Sequence, residues 1–290
     1  MFETILNPKK AERNPWELFF VGLFYASFSM LLVNLMFSRS AIFSDYLGLL
    51  VILFTVMLSL PFIYFTIKFE EEKDLIIRKE KFLIKEHAKA LLAFVYLFLG
   101  FLVAFSIAYV ILPEKVVSQN FDMQVRQYCA INVPGNVEDC VTQFLEVTGK
   151  ATSITTSATS WGRVMTIFEN NIYVLIFCIL FSLAFGAGAI FILTWNATVI
   201  AAAIGIFSES SLANLPAAFM RYMFHGLPEI AAYFYAALAG GIVSIAVIRH
   251  HFKGKRFWQI LQDSIDMTIL AVIILFVAAL IEVFITPLLF

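Results

Sequence analysis

The sequence predicts an all-α protein, a polytopic bundle of transmembrane helices with about seven crossings, one of them short or broken, and one large extracytoplasmic loop. Three observations predict it. The chain is 61% hydrophobic and 14% charged, with a mean hydropathy of +0.88, so its apolar surface needs lipid. Apolar runs of about 20 residues, enough to cross roughly 30 Å of hydrocarbon, recur along its length. Lys and Arg gather in a few connections instead of spreading evenly. The net charge of -1 provides no field that would attract nucleic acid.

The apolar runs cover residues 18–37, 46–67, 90–112, 172–193, 229–248 and 267–285. Lys9, Lys10 and Arg13 precede the first. No small-residue cleavage site follows it, so it reads as an anchor and not a removable signal. A seventh segment, 197–207, would reach only about 16 Å at 1.5 Å per residue. Loop charge decides its fate. Lys68, Lys73, Arg78, Lys79, Lys81, Lys85 and Lys89 fill one connection, and Arg249, Lys253, Lys255 and Arg256 fill another. Both should face the cytoplasm. An even number of crossings must then separate them, and the runs starting at Ala90, Ile172 and Glu229 supply an odd number. The short segment must therefore cross. This places the chain in the cell membrane with the N-terminus inside, the connection 113–171 outside and the C-terminus outside. Three regions follow: 1–112, with a charged cytoplasmic helix over 68–89; the outer loop 113–171; and the membrane region 172–290.

Within 68–89, Leu75, Ile76, Phe82 and Leu83 recur at helical spacing, which suggests an amphipathic helix on or projecting from the membrane. In the outer loop, 148–160 is rich in Ser and Thr and reads as loop or weak helix, and 161–168 reads as an interfacial piece. Cys129 and Cys140 share that loop, while Cys178 lies in an apolar run. A disulfide between the first two would contribute roughly 3 kcal/mol in an oxidising compartment. Two free thiols are the alternative.

Ionisable side chains at membrane depth cost several kcal/mol unless paired or wetted, so the few present are the candidate site. His225 and Glu229 stand four apart, with Pro228 in what reads as the first turn of the sixth crossing. On one helical face they could share a proton or a hydrogen bond. Glu169, Asn170 and Asn171 lead into the fourth crossing, and Glu282 lies near the end of the seventh. The topology predicts that these six converge in one outer layer; the alternative is that each caps its own helix. Small residues give a second signal. Ala232, Ala236, Gly240 and Ser244 repeat every four positions beside Ala237 and Gly241, and Gly186, Gly188 and Gly205 mark other helices. Such stripes allow close packing within a bundle or form a homodimer seam. No H-E-x-x-H, G-x-S-x-G or P-loop occurs, and the remaining histidines are His87, His250 and His251. The expectation is no catalytic residue, no metal and no cofactor.

The segment I-F-E-N-N-I starting at Ile167, then Gly186 and Gly188, Trp195-Asn196, His225-Gly226 with Glu229, and Ala239-Gly240-Gly241 stand in the order that resembles the stage II sporulation protein M family. The likeness covers about residue 161 to the C-terminus. Where the family pattern has Asn-Gly, this chain has Asn196-Ala197. The resemblance implies a non-catalytic membrane anchor for peptidoglycan-degrading partners outside the cytoplasmic membrane. The Phe-rich composition and the extended first half suggest a divergent archaeal or non-sporulating relative. The first expectation is thus a scaffold whose partners are membrane lipids, envelope proteins and a second copy of itself. The alternative is a transporter or channel component with a broken-helix site near Asn196 and His225. An intramembrane hydrolase built on His225 and Glu229 would lack a nucleophile or metal set.

Overall fold

The computed structural model describes residues 8–76, 83–132, 135–145, 160–248 and 255–290, and among them there is helix and no strand. The helices are α1 (Pro8–Arg13), α2 (Glu17–Phe37), α3 (Leu47–Ile76), α4 (Leu83–Ile111), α5 (Glu114–Asn132), α6 (Val137–Leu145), α7 (Ser160–Phe185), α8 (Ala189–Phe207), α9 (Leu215–Ile248), α10 (Lys255–Leu280) and α11 (Thr286–Leu289). A π-helical turn, Ile281–Ile285, joins α10 to α11 in one continuous rod. Seven of these, α2, α3, α4, α7, α8, α9 and the α10–α11 rod, are long and apolar enough to cross a membrane. Several hydroxyls inside them are satisfied within their own helix. In α3 the hydroxyls of Thr55, Ser59 and Thr66 each donate to the carbonyl four residues earlier, at 2.7–2.8 Å, so no bare hydroxyl faces the core.

Helices α4 and α9 are the most enclosed, whereas α7 and α10 leave most of their apolar surface exposed. The bundle therefore has two centres. One is α4 with α2, α3 and α8; the other is α9 with α7 and α10. Helix α8 touches both. Glycine sets the closest approach. A Cβ on Gly100 of α4 would lie 2.6 Å from the Leu23 nitrogen of α2, and one on Gly22 would strike the Leu97 carbonyl, so these two helices meet backbone to backbone.

The end of the bundle bearing Cys129 and Cys140 is termed the disulfide end. There the segment expected to be a loop is built of helices. Helix α5 buries Val117, Phe121, Val125, Tyr128 and Cys129 against α3, α4 and α8. Asn120 exchanges two amide hydrogen bonds with Asn34 of α2, at 2.9 and 3.0 Å, and Gln124 Nε2 donates to Thr198 Oγ1 of α8 at 3.2 Å. Cys129 and Cys140 form a disulfide that ties α6 to α5. Arg126 also links the two helices through Glu138 of α6 at 2.8 Å, and pairs with Asp122 of its own helix at 3.1 Å. These exposed pairs contribute about 0–1 kcal/mol, so the covalent tie dominates.

Three further features differ from the sequence reading. The run 172–193 is not one crossing. α7 ends at Phe185, Gly186 turns the chain with φ +67, and α8 begins at Ala189. The supposedly stunted segment is the second half of α8, whose 19 residues reach about 28 Å. Likewise α9 starts at Leu215, so Pro228 sits inside it and not in its first turn. The charged stretch 68–89 is not a separate surface helix. α3 continues through Ile76 and α4 begins at Leu83, with 77–82 outside the described residues. The residues 148–159 and 249–254, with His250 and His251, also lie outside them.

Candidate functional site

The polar cluster is assembled from α7, α9 and the π turn. Asn171 lies on the buried stripe of α7, and its Nδ2 donates to Glu229 Oε1 of α9 at 2.8 Å. Tyr233, one turn further along α9, donates its hydroxyl to Asn171 Oδ1 at 2.9 Å. One amide thus satisfies a carboxyl and a phenol together. His225 does not bond Glu229. Its Nδ1 faces Thr286 Oγ1 at 3.4 Å, and its Nε2 lies 4.0 Å from Glu282 Oε2. Glu282 in turn stands within electrostatic reach of Glu229 and of Arg163 near the start of α7.

Two backbone irregularities lie at this level. Pro228 has no amide hydrogen for the Phe224 carbonyl, which loosens α9 between His225 and Glu229. The π turn widens the rod at Glu282, where Thr286 Oγ1 donates back to the Ile281 carbonyl at 3.2 Å. The Glu282 side chain keeps 31% exposure against 11% for His225, so the cluster opens on its Glu282 side. Beyond His225 toward the disulfide end, the Tyr222 ring packs between those of His225 and Phe207, and its hydroxyl hydrogen-bonds Tyr128 of α5. Arg221 covers the Phe207 ring and donates to the Phe290 carbonyl at 3.3 Å.

Of the six residues expected to converge, Asn171, His225, Glu229 and Glu282 come together. Glu169 does not. It is exposed on α7 and accepts a hydrogen bond from Tyr173 of its own helix at 3.2 Å. Asn170 is half-buried on the flank of the same helix. The site expected near Asn196 and His225 is not assembled either. Asn196 lies in the middle of α8 and donates to the Ile192 carbonyl of that helix at 2.8 Å. Among the small residues, Ala232, Ala236, Gly240 and Gly241 are buried within the chain itself. A Cβ on Gly240 would lie 2.9 Å from the Ile179 carbonyl of α7, and one on Gly241 2.9 Å from the Gly186 carbonyl. Gly205 accommodates the Tyr109 ring of α4, and Gly188 lies against the Phe181 carbonyl.

The sequence reading did not single out Tyr233, Thr286 or the Glu70–His87 pair. Tyr233 carried a signal, since it continues the four-residue spacing of His225 and Glu229. His87 Nδ1 lies 2.6 Å from Glu70 Oε2, both fully buried at the end opposite the disulfide, a pairing across helices that no local spacing announces. Among the described residues no group of three or more His, Cys, Asp or Glu is arranged to hold a metal ion.

The family model described as Stage II sporulation protein M matches residues 18–287. The chain belongs to this family. The match extends over both centres of the bundle, well beyond the second half in which the sequence motifs lie. Comparison with curated proteins and with solved structures gave no match. In this member of the stage II sporulation protein M family, the family-like residues Asn171 and Glu229 are bonded to each other and His225 faces Thr286 instead, while Gly186, Gly240 and Gly241 form the packed seam.

Proposed function

We propose that the chain is a non-catalytic scaffold of the cell membrane, with its N-terminus inside and its C-terminus and disulfide end outside. It presents the α5–α6 face to protein partners of the envelope. The observation that carries this reading is the attachment of that face. A polar helix pair is held by the Cys129–Cys140 disulfide and seated on α2 and α8 through Asn120 and Gln124, while Glu114, Lys115, Arg126, Gln127, Glu138 and Asp139 remain exposed. A rigid polar platform binds without first being ordered, which lowers the entropic cost of docking. Hydrogen bonds to Glu138 and Asp122 hold the Arg126 guanidinium above its usual pKa.

The orientation follows from Lys and Arg. The last turns of α3 and the first turns of α4, with Lys68 and Lys89, and the end of α9 and start of α10 that flank the second Lys/Arg run, fall at the end opposite the disulfide, as the positive-inside rule asks of a cytoplasmic side. The polar cluster serves as an internal joint in this reading, because its bonds are made within the chain. The exposed apolar residues of α7 and α10, such as Phe177, Leu180, Ile269 and Ile273, meet lipid.

Co-purification tests the reading. The platform variant Lys115→Glu with Arg126→Glu should reduce recovery of a peptidoglycan-degrading partner about tenfold, equivalent to about 1.4 kcal/mol, with membrane insertion unchanged. Full recovery with the altered platform would count against it.

A further inference from the structure

The inner half of the polar cluster is closed by the bonds among Asn171, Glu229 and Tyr233, and its edge at the π turn is not. Thr286 spends its hydroxyl hydrogen on the Ile281 carbonyl, so toward His225 its oxygen can only accept. The imidazole hydrogen of His225 therefore sits on Nδ1, and Nε2 is a lone-pair acceptor. That nitrogen points at Glu282 Oε2 across 4.0 Å, too far for a hydrogen bond in any protonation state. His225 is only 9% exposed, so bulk water has little access to the ring. Among the described residues Glu282 accepts no hydrogen bond, and Arg163 stands within electrostatic reach without bonding it. Two acceptors, one of them a carboxylate, thus face each other with no donor from the chain between them. Glu229, held by Asn171, adds a second carboxyl within electrostatic reach of Glu282.

An atom about 2.8 Å from both acceptors sees them at about 90°, an angle that two N–H bonds of one ammonium cover with little bending. A metal ion about 2.1 Å from each would need them nearly opposite one another. Among the described residues no group of three or more His, Cys, Asp or Glu is arranged to hold one. The surroundings set the depth and the second charge. Trp161, in the first turn of α7, packs its ring against Phe284 at 5.6 Å, and both are exposed, so Glu282 lies at the outer end of α7. Exposed aromatic rings at helix ends mark the headgroup layer of a membrane. Arg163, two residues further on, is also exposed, and a guanidinium is suited to phosphate. We propose that this edge binds the headgroup of an ethanolamine phospholipid, with its ammonium between His225 Nε2 and Glu282 and its phosphate at Arg163. Charge complementarity carries the choice: an acceptor pair beside an exposed cation matches an ammonium joined to a phosphate. The assignment to the outer leaflet rests on the orientation proposed above; the binding itself does not.

The test is native mass spectrometry of the purified full chain in detergent, mixed with equal amounts of phosphatidylethanolamine and phosphatidylcholine of matched acyl chains. The two lipids share a phosphate and a positive nitrogen, but the choline nitrogen carries three methyls and no N–H donor. Wild type should retain the ethanolamine lipid about tenfold over the choline lipid. Glu282→Gln should bring the two to the same level. Arg163→Ala, an exposed change that leaves the bundle untouched, should lower retention of both lipids about threefold. Equal retention by the wild type would overturn the proposal, as would an undiminished preference in Glu282→Gln or undiminished retention in Arg163→Ala. Full displacement of the lipid by excess soluble phosphoethanolamine would also overturn it, in favour of a soluble amine. The assay contains no partner protein and no oriented membrane, so its failure is independent of any failure of partner recovery or of sidedness.

Discussion

Asn171 is a single side chain on which two others depend. Replacing it with Ala leaves the Glu229 carboxyl and the Tyr233 hydroxyl without the bonds seen here, at a cost of about 1–3 kcal/mol for each buried group stranded. Thermal unfolding in detergent should show that loss. Glu169→Ala, two residues away on an exposed face, should stay within about 0.5 kcal/mol. Equal destabilisation by the two would mean that the cluster is not assembled as described. The pair also shows what the sequence could convey at this scale. Neighbours in the same motif look alike until the helix phase is known. Inside a helix apolar on every side the phase cannot be read from hydrophobic periodicity.

At the scale of elements, the same loss of periodicity hid the turn at Gly186. Residues 172–193 form an unbroken apolar run, and only the left-handed φ of Gly186 marks where α7 stops. Gly186→Ala should destabilise by about 1–2 kcal/mol from backbone strain alone, since nothing lies within 4 Å of the added methyl. A Gly188→Ala variant would instead press on the Phe181 carbonyl. Comparing their unfolding temperatures separates strain from crowding. Helix α5 was hidden for another reason. It is polar for a membrane protein, and its buried face became evident only once α3, α4 and α8 supplied a seat for it. The disulfide pairing, by contrast, was open to reading, because Cys129 and Cys140 share one polar segment and Cys178 does not. Cys140→Ser should cost roughly 3 kcal/mol at the α5–α6 unit. The loss would appear as faster proteolysis of α6 with the remaining bundle intact.

For the molecule as a whole, charge counting and helix counting lead to the same number of crossings, even though one boundary used in the count was misplaced. The parity argument needed only that the chain turn somewhere between Ile172 and Phe207, and it turns at Gly186. Single-cysteine labelling of intact cells should therefore find Lys68 and Trp258 on one side and Lys115 with Ser210 on the other. Lys68 and Trp258 on opposite sides would dismantle both the orientation and the platform reading. Residue pairing between helices, such as Glu70 with His87 or Asn34 with Asn120, remained beyond the sequence because each partner alone looks like an ordinary polar residue near a helix end.

The contact of Gly22 with Gly100 also bears on how the chain is made. Helices α2 and α4 run in the same direction, with α3 returning between them in the chain, so α2 lacks its tightest neighbour until α4 has been synthesised. Until then α2 waits with a glycine notch open to lipid or to the insertion machinery. A bulky residue at Gly100 would prolong that exposed interval and mark the nascent protein for quality-control degradation before any folded product formed.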